Sequence, residues 1–525
     1  MKGSKSRFMN RLLLIQSVLF LCNAAVMHAQ TGQLSRGGTD PVEWYHEFDR
    51  TRRSNLWNDG RNTAGMRQDT ISVSSAGVLA EYAGGGFRDS NAASSSWKAG
   101  VQARTVTHMK RTSLAGSFFF ENFSGYGMCG SMSARPGYYP FDVMEFTPGT
   151  KTRQTYSFSG GISSDIGRHW RIGGSIDYTG MNYTKRKDLR HSNYLLDMTV
   201  IPSVMYYCED FALGVSAIFS KNSETVNAEK LGISSSTYYA FLDKGLMYGA
   251  YESWEGSGVH LSESGINGFP ARELLFGGAV QAQWKSLYAE AEYLYGSGKA
   301  GEKQTVWFRF PSHRTAVRLG YVSGNDITRH YIRLNIGWML QYNNESVMQK
   351  VTENGVTVTM VYGYNRIFSR STLSLSPEYE FAGKTYGCKA GVAINSYNRQ
   401  ASQIFPYIVF RNDLLMEAYL SGYISLRRFD FMAGLSFRTG NWREQEKTSE
   451  TSADPGDPPY RMENLYGVQS EYLTASRITT VIGIRYRFRK GLYTEAAGQY
   501  MHGFGLKNIT GSGRYAGTIR IGFEF

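Results

Sequence analysis

The sequence has 525 residues and a formal charge of +13, with 58 glycines, 36 tyrosines and 29 phenylalanines but only 12 prolines. Its basic residues are spread through segments of alternating polarity and form no cluster, which excludes a nucleic-acid-binding protein. The mean hydropathy is -0.36, and beyond the N-terminus no apolar run reaches the roughly 20 residues of a membrane-spanning helix.

Residues 1–29 have the pattern of a secretory signal peptide. Four basic residues precede the apolar run Leu12–Val26, which at about fifteen residues is too short to span a bilayer. We expect the mature chain to begin at Gln30. The expected mature chain keeps three of the four cysteines, and an odd number of widely spaced cysteines argues against a disulfide framework. Whether any two of them pair is left open for Cys129, Cys208 and Cys388.

Residues 30–71 do not alternate in polarity and carry aromatic side chains among charged ones, as in Trp44–Phe48 and Leu56–Asn58. They are predicted to form a short segment, with a helical turn, that lies in the periplasm or enters a lumen. About forty residues cannot make the large globular plug of a TonB-dependent transporter, so that class is excluded for this chain alone.

Residues 72–525 repeat one pattern, a segment of eight to fourteen residues with period-two alternation. In Tyr515–Phe525, Ile519, Ile521 and Phe523 fall on one face and Arg520 on the other. Such segments suit tilted strands that cross a bilayer. The sequence therefore predicts an all-β protein, a transmembrane antiparallel β-barrel of about 18 strands (16–20). Further examples are Trp170–Tyr183, His330–Tyr342, Leu414–Leu426 and Arg477–Phe488.

Short and long polar connections alternate between these segments. In a bacterial outer-membrane barrel the short turns face the periplasm and the long loops face outward, so both termini are expected in the periplasm. The predicted short turns are Lys110-Arg111, Arg168-His169, Glu209-Asp210, Lys285-Ser286 and Arg489–Gly491. The predicted long external loops are Asn122–Lys151, Val226–Arg272 and Thr439–Ala475.

One block of sequence carries a family resemblance. It runs from Arg135–Asp142 through Tyr156 and Gly160-Gly161 to Lys187–Asn193, and is preceded by Leu56-Trp57 and Asn62–Gly65. This block resembles an uncharacterised family of outer-membrane β-barrels of Bacteroides-type bacteria. The resemblance implies an outer-membrane barrel over nearly the whole mature chain and an association with TonB-dependent uptake systems. It implies no site residues.

The polar strand faces offer a candidate lumen lining. A net positive lumen would favour anionic solutes, as rings of Arg and Lys do in anion-conducting pores. The alternative is an ion-paired interior that braces a closed barrel, since barrel interiors are polar in either case. The candidate residues are Arg171, Arg318, Arg333, Arg485, Arg487, Arg520, Glu290 and Glu417.

The long loops offer candidate binding groups, because tyrosine supplies rigid contact area for a sugar or a partner protein. The alternative is a loop that packs on itself over or inside the barrel mouth. The candidates are Tyr126, Tyr138, Tyr139, Phe141, Tyr248 and Trp254. The acidic stretch Glu444–Glu463 matches no calcium loop and is interpreted as a charged external loop.

No catalytic or metal-binding pattern stands out. A Gly-x-Ser-x-Gly elbow and a His/Cys metal spacing are both missing from the sequence, and His191, beside Asp188 and Ser192, is the best isolated candidate for a rim hydrolase. We expect no cofactor and no enzyme activity. The predicted function is a channel for small polar or anionic solutes, or an accessory of a nutrient-uptake complex. The alternative is a plugged barrel that binds a partner.

Overall fold

The computed structural model describes residues 46–525, except 188, 230–238, 247–248, 254–265, 302–304, 326, 354–355, 403–407 and 448–461. Within these residues, eighteen strands form an antiparallel ring, which closes where β1 (Val73–Gly85) pairs with β21 (Gly513–Glu524). The predicted all-β barrel of about eighteen strands is confirmed. The predicted signal peptide lies outside the described residues.

Each strand of the wall pairs with the next one along the chain. The strands between β1 and β21 are β2 (Ser95–His108), β3 (Thr112–Ser131), β4 (Asp142–Asp165), β5 (Trp170–Lys185), β6 (Arg190–Cys208), β7 (Phe211–Glu229), β10 (Ile266–Trp284), β11 (Leu287–Gly301), β13 (Ser312–Gly324), β14 (Thr328–Glu353), β15 (Val356–Gly383), β16 (Tyr386–Ala401), β17 (Ile408–Leu426), β18 (Phe429–Lys447), β19 (Arg477–Arg487) and β20 (Leu492–Gly503).

The remaining elements are not strands of the ring. The hairpin of β8 (Tyr239–Asp243) and β9 (Gly249–Ser253) pairs with β4, and β12 (Val306–Arg309) bridges β11 and β14. The helices are α1 (Glu47–Arg53) and α2 (Met462–Thr474). Among the described residues, no helix has the length and apolar character needed to cross a membrane. Cys129, Cys208 and Cys388 form no disulfide.

The alternation of side chains divides the wall into an apolar outside and a polar inside. On β21, Ile519 is 60% exposed on the outer surface, whereas the neighbouring Arg520 is 6% exposed and faces inward. Ile521 and Phe523 repeat the outward pattern. Because successive side chains of a strand point to opposite faces, this alternation, read from the sequence, fixes which face each residue occupies.

All five predicted short turns connect adjacent strands by two to four residues. They lie at the end of the barrel where β1 begins and β21 ends, which we call the short-turn end. Glu209 and Lys285 adopt positive φ values of 34° and 51°, as tight hairpin turns require of a residue in this position. The opposite end carries the longer connections and is called the long-loop end.

The predicted long loops are wrong in extent, because strands continue into them. β3 and β4 pair through most of Asn122–Lys151, which leaves residues 132–141 as the connection. Strands β7 and β10 take the ends of Val226–Arg272, and β18 with α2 takes much of Thr439–Ala475. Backbone pairing continues beyond the part of a strand that needs polarity alternation, so alternation alone does not mark where a strand ends.

The longest extension is the hairpin of β14 and β15, with 26 and 28 residues. Pairing with β12 ends at Glu345 and pairing with β16 begins at Phe368. Among the described residues, the segment 346–366 therefore has its strand pairing only within the hairpin and extends beyond the paired wall. Val358, Met360 and Tyr362 are exposed on it. We call this segment the projecting hairpin.

Candidate functional site

The lumen of the barrel is occupied by residues 46–69, which we call the N-terminal plug. A ring of eighteen strands encloses a space wide enough for an aqueous channel, so the contents of this space decide what can pass. Helix α1 has acidic residues in its first turn and arginines in its last, which complements the helix dipole. The side chains of Asn55 and Asn62 then cap two 3₁₀ turns, Leu56–Asp59 and Thr63–Gln68.

Charged contacts tie the plug to strands on all sides of the lumen. Asp59 accepts a hydrogen bond from Arg333 on β14 at 2.7 Å, and Arg61 donates to Glu292 on β11 at 2.9 Å. Buried charges of this kind are costly unless paired, and the pairing fixes the plug relative to the wall. The other ion pairs are Asp49–Arg104, Arg53–Glu380 and Arg67–Asp165, and His46 contacts the carboxylates of Glu495 and Glu524.

The centre of the plug is an apolar contact with β10 and β11. Trp57 is almost fully buried, packs edge-on against Tyr288 at 5.4 Å between ring centroids, and donates a hydrogen bond to Gln283. On β5 the backbone of Ala64 approaches Gly173 so closely that a Cβ atom there would lie 2.4 Å from Ala64 N. The wall therefore has a glycine at the point where the plug backbone touches it.

Each predicted lumen residue forms an ion pair with an oppositely charged side chain or lies opposite one across a strand pair. Arg318 contacts Glu290 and Glu292, and Arg333 contacts Asp59 and Glu380. The remaining placements are Arg171 with Asp165, Arg485 with Glu524, Arg487 with Asp430, Arg520 opposite Glu495 in the register, and Glu417 opposite Arg438. Arg487 differs from the others because it is 43% exposed at the short-turn end.

A second segment occupies part of the lumen at the long-loop end. It is the connection 132–141, which we call the aromatic loop. Tyr138 donates to Glu273 and Tyr139 donates to Asn222, each at 2.5 Å, and Arg370 on β15 donates to the carbonyl oxygens of Gly137 and Tyr138. Burial raises the pKa of the Tyr138 phenol, and the neighbouring Glu273 carboxylate raises it further. The loop is thus held by the wall.

Three of the four external-loop candidates that the structure describes are buried. Tyr138, Tyr139 and Phe141 are buried in an apolar cluster with Phe308 and Phe310, because the aromatic loop turns inward and its rings stack there. Tyr126 is 45% exposed and is the only one of the six candidates that the structure places at the surface. Tyr248 and Trp254 lie outside the described residues, as does most of the acidic stretch Glu444–Glu463.

Between the aromatic loop, α2 and the barrel wall there remains a cavity of about 740 Å³, which we call the chamber. Its wall is the inner face of β14 to β20. Several of its basic residues were not singled out from the sequence: Arg370, Lys389, Arg399, Arg411, Arg438 and Arg477. Leu435 and Phe437 face outward on β18, so the alternation of the sequence predicts that Arg438 faces inward. The sequence does not predict that the six basic residues lie close together.

Two titratable groups that line the chamber, Asp89 and Tyr466, have raised pKa values. Burial raises the pKa of the Asp89 carboxyl group, and burial raises the pKa of the Tyr466 phenol on α2 to about 12. Tyr466 donates a hydrogen bond to Glu444 at 2.5 Å, and Arg411 donates to Ser470 on the same helix at 2.6 Å. These contacts fix α2 over the chamber as a roof.

The rim-hydrolase candidate does not assemble in the described residues. His191 is buried, with Nδ1 at 3.0 Å from Asn193 Oδ1 and its ring against Tyr183, while Asp188 lies outside the described part of the chain. Across the part of the chain that the structure describes, no three His, Cys, Asp or Glu side chains are grouped to hold a metal ion.

Comparison with known proteins gives a family match. The model of a family of unknown function (DUF6850) matches residues 63–525. No curated protein is detectably similar in sequence to this chain.

Several solved barrels are similar in structure. They include the copper transporter OprC (7% identity, 87% of this chain and 80% of that chain, TM-score 0.38). The siderophore receptor PiuA from Acinetobacter baumannii is similar to the same degree (6% identity, 86% of this chain and 82% of that chain, TM-score 0.38). The ferripyoverdine receptor of the outer membrane of Pseudomonas aeruginosa is also similar (8% identity, 87% of this chain and 72% of that chain, TM-score 0.38). The barrel thus resembles those of outer-membrane proteins, and at scores this low the likeness carries no argument about function.

Proposed function

Since the chain belongs to a family of unknown function (DUF6850), its role has to follow from its own geometry, and we propose an outer-membrane barrel closed at rest by its N-terminal plug. In this proposal the barrel serves the uptake of a small polar or anionic solute. The plug is the gate, and its release towards the short-turn end opens the path.

The observation that carries the proposal is the set of contacts between the plug and the wall. Ion pairs run from the plug to β2, β4, β11, β14 and β15, and His46 contacts carboxylates on β20 and β21. A segment of about two dozen residues held mainly by paired charges can be released as a unit, because water solvates the separated ions once the lumen is wet. An apolar filling would lack that compensation.

The same proposal fixes the setting of the barrel. The signal peptide 1–29 is cleaved, and the short-turn end with both ends of the wall faces the periplasm. The long loops face the exterior of a Bacteroides-type bacterium. The plug is then accessible from the periplasm, the side from which a TonB-dependent uptake partner or another periplasmic protein would act on it.

Conductance of the purified mature protein in a planar bilayer tests the closed state. We expect the wild-type barrel to insert without steady conductance, since the plug fills the lumen at the short-turn end. Folding is checked by migration on a gel before and after heating, because intact barrels resist detergent. Steady ohmic current from most inserted molecules would contradict the closed barrel and favour an open pore.

A second candidate function is an accessory barrel that docks against an uptake partner. The projecting hairpin favours it, since Val358, Met360 and Tyr362 are exposed on a strand pair that stands clear of the wall. Exposed apolar side chains grouped in this way mark interaction surfaces. The occupant in this candidate is a TonB-dependent transporter in the same membrane.

Site-directed crosslinking separates the second candidate from the first. A photoreactive residue at Tyr362 is expected to form an adduct with a TonB-dependent transporter in intact outer membranes, whereas the same residue at Tyr126, which is exposed on a different strand, forms none. Equal adducts from both positions, or none from Tyr362, would remove the accessory role and leave the gated barrel.

A further inference from the structure

The chamber is of the size and shape of a ligand site. Its volume of about 740 Å³ falls inside the range of roughly 300 to 1,000 Å³ that small-molecule sites occupy. It lies inside the barrel, bounded by the wall, by Pro136 and Gly137 of the aromatic loop, and by the underside of α2. The aromatic loop borders this space without filling it.

The charge of the chamber lining is unbalanced. The lining includes six cationic side chains against three acidic ones, Asp89, Glu378 and Glu417. Glu378 is already engaged by Lys389 at 2.7 Å and by the Tyr419 hydroxyl at 2.5 Å. An enclosed space with an excess of positive charge attracts anions more strongly than an exposed surface, because the low-dielectric wall concentrates the field.

The strand register places the arginines side by side. Arg399 on β16 lies directly opposite Arg370 on β15 and Arg411 on β17. Arg438 on β18 lies directly opposite Arg477 on β19. Like charges that face each other across a strand pair destabilise a sheet. One carboxylate, Asp413, contacts both Arg399 and Arg411. The wall thus keeps two groups of adjacent cations, an arrangement that an anionic ligand would stabilise.

The lining also offers flat ring surfaces. Tyr397, Tyr419, Tyr466 and Tyr472 border the chamber, and tyrosine rings provide rigid contact area for the body of a small organic molecule while their hydroxyl groups hydrogen-bond to it. Two groups of cations and a surround of rings suit a ligand with two or more charged groups on one compact body.

We propose that the chamber binds a small organic polyanion, with at least two carboxylate or phosphate groups, between the arginines of β15 to β17 and those of β18 and β19. Arginine is suited to this task because its planar fork of donors matches both carboxylate and phosphate oxygens. The inference deepens the proposed uptake role by naming a solute class, but a filled chamber needs neither a gate nor a conductance.

Calorimetric titration of the full-length mature protein in detergent, at low salt, tests the site. The probes are citrate for carboxylates, pyrophosphate for phosphates and maltotriose as a neutral molecule of similar size. We expect at least one of the two anions to bind with one-to-one stoichiometry and maltotriose not to bind. The anion that binds identifies the source of the charge. Absence of binding by both anions to heat-modifiable, folded protein would overturn the proposal.

Substitutions locate the binding to the chamber. Arg438→Gln is expected to weaken anion binding about tenfold, since one charge-assisted hydrogen bond is lost, and Arg477→Gln to act in the same direction. Glu417→Gln is expected to strengthen binding, a gain that misfolding cannot imitate. Arg487→Gln, the same change at the half-exposed short-turn end, serves as control. Unchanged affinity in the Arg438 and Glu417 variants would overturn the proposal even if the anion binds.

Discussion

Deletion of residues 46–69 is expected to turn a silent barrel into a conducting one. The wall keeps its backbone pairing without the plug, because the ring closes through β1 and β21 and no strand belongs to the deleted segment. What the deletion removes is the filling at the short-turn end. The path that remains runs from that end into the chamber and past the aromatic loop.

The wall should tolerate the loss. Glu290 and Glu292 lose the contacts with Arg61 but keep Arg318, and Glu524 loses His46 but keeps Arg485. Water that enters the lumen solvates the groups that are left, so the penalty of an unpaired buried charge does not apply to them. We therefore expect a folded, heat-modifiable barrel with discrete single-channel steps.

A graded variant sharpens the measurement. Asp59→Asn combined with Arg61→Gln keeps the plug but removes its contacts with Arg333 and Glu292, so brief openings are expected in place of a permanent path. Glu81→Gln, which alters a partly exposed pair with Lys98, should stay silent. A folded deletion variant without any conductance would show that residues 46–69 are not what closes the lumen.

Replacing Glu145 by glutamine is expected to lower the free energy of unfolding by about 3–5 kcal/mol. The Glu145 carboxylate lies 3.1 Å from Lys151 Nζ and 2.6 Å from Lys185 Nζ. The side chains of all three residues are at most 1% exposed. Removing the one negative charge leaves two ammonium groups in a space that water does not reach. Urea unfolding in lipid vesicles measures the loss.

The matched control for this change is Glu81→Gln. Its partner Lys98 lies at a similar distance, 2.8 Å, but both side chains are about one quarter exposed, so a loss of no more than about 1 kcal/mol is expected. Adding Lys185→Met to the Glu145 variant should recover part of the stability, because one uncompensated charge then remains instead of two. Equal losses in the Glu145 and Glu81 variants would contradict the burial argument.

The ring of strands was predictable because one physical constraint acts on every strand. A residue such as Ile521 must suit an apolar exterior while Arg520 suits a polar interior, and this constraint repeats along the chain with period two. The tight turns were predictable for a related reason, since two polar residues such as Glu209-Asp210 separate two alternating runs. Both signals are local, and one sequence is enough to reveal them.

The contents of the barrel were not predictable from local signals. Asp59 and Arg333 are 274 positions apart, and a charged residue carries no mark of its partner. A water-filled pore and an ion-paired interior both require polar residues on the inner face of each strand, so the strand pattern does not distinguish them. The aromatic loop misled for a similar reason, because Tyr138 suits an exposed binding surface as well as the buried cluster where it lies.

Predicting the chamber requires the strand register as well as the alternation of polarity. Arg370, Arg399 and Arg411 lie on three strands and become neighbours only because those strands pair at one particular offset. A shift of one residue would turn an arginine to the outer face.

The contact between His46 and Glu495 joins residues 449 positions apart, and it has a consequence for assembly. The plug precedes every described strand, so it is already synthesised when the wall closes. β1 meanwhile offers an unpaired edge until β21 arrives. Enclosure of the plug and sealing of the barrel therefore become one event, and a polypeptide that stops short of β21 leaves both unfinished. A chain that lacks β21 therefore cannot form the closed barrel.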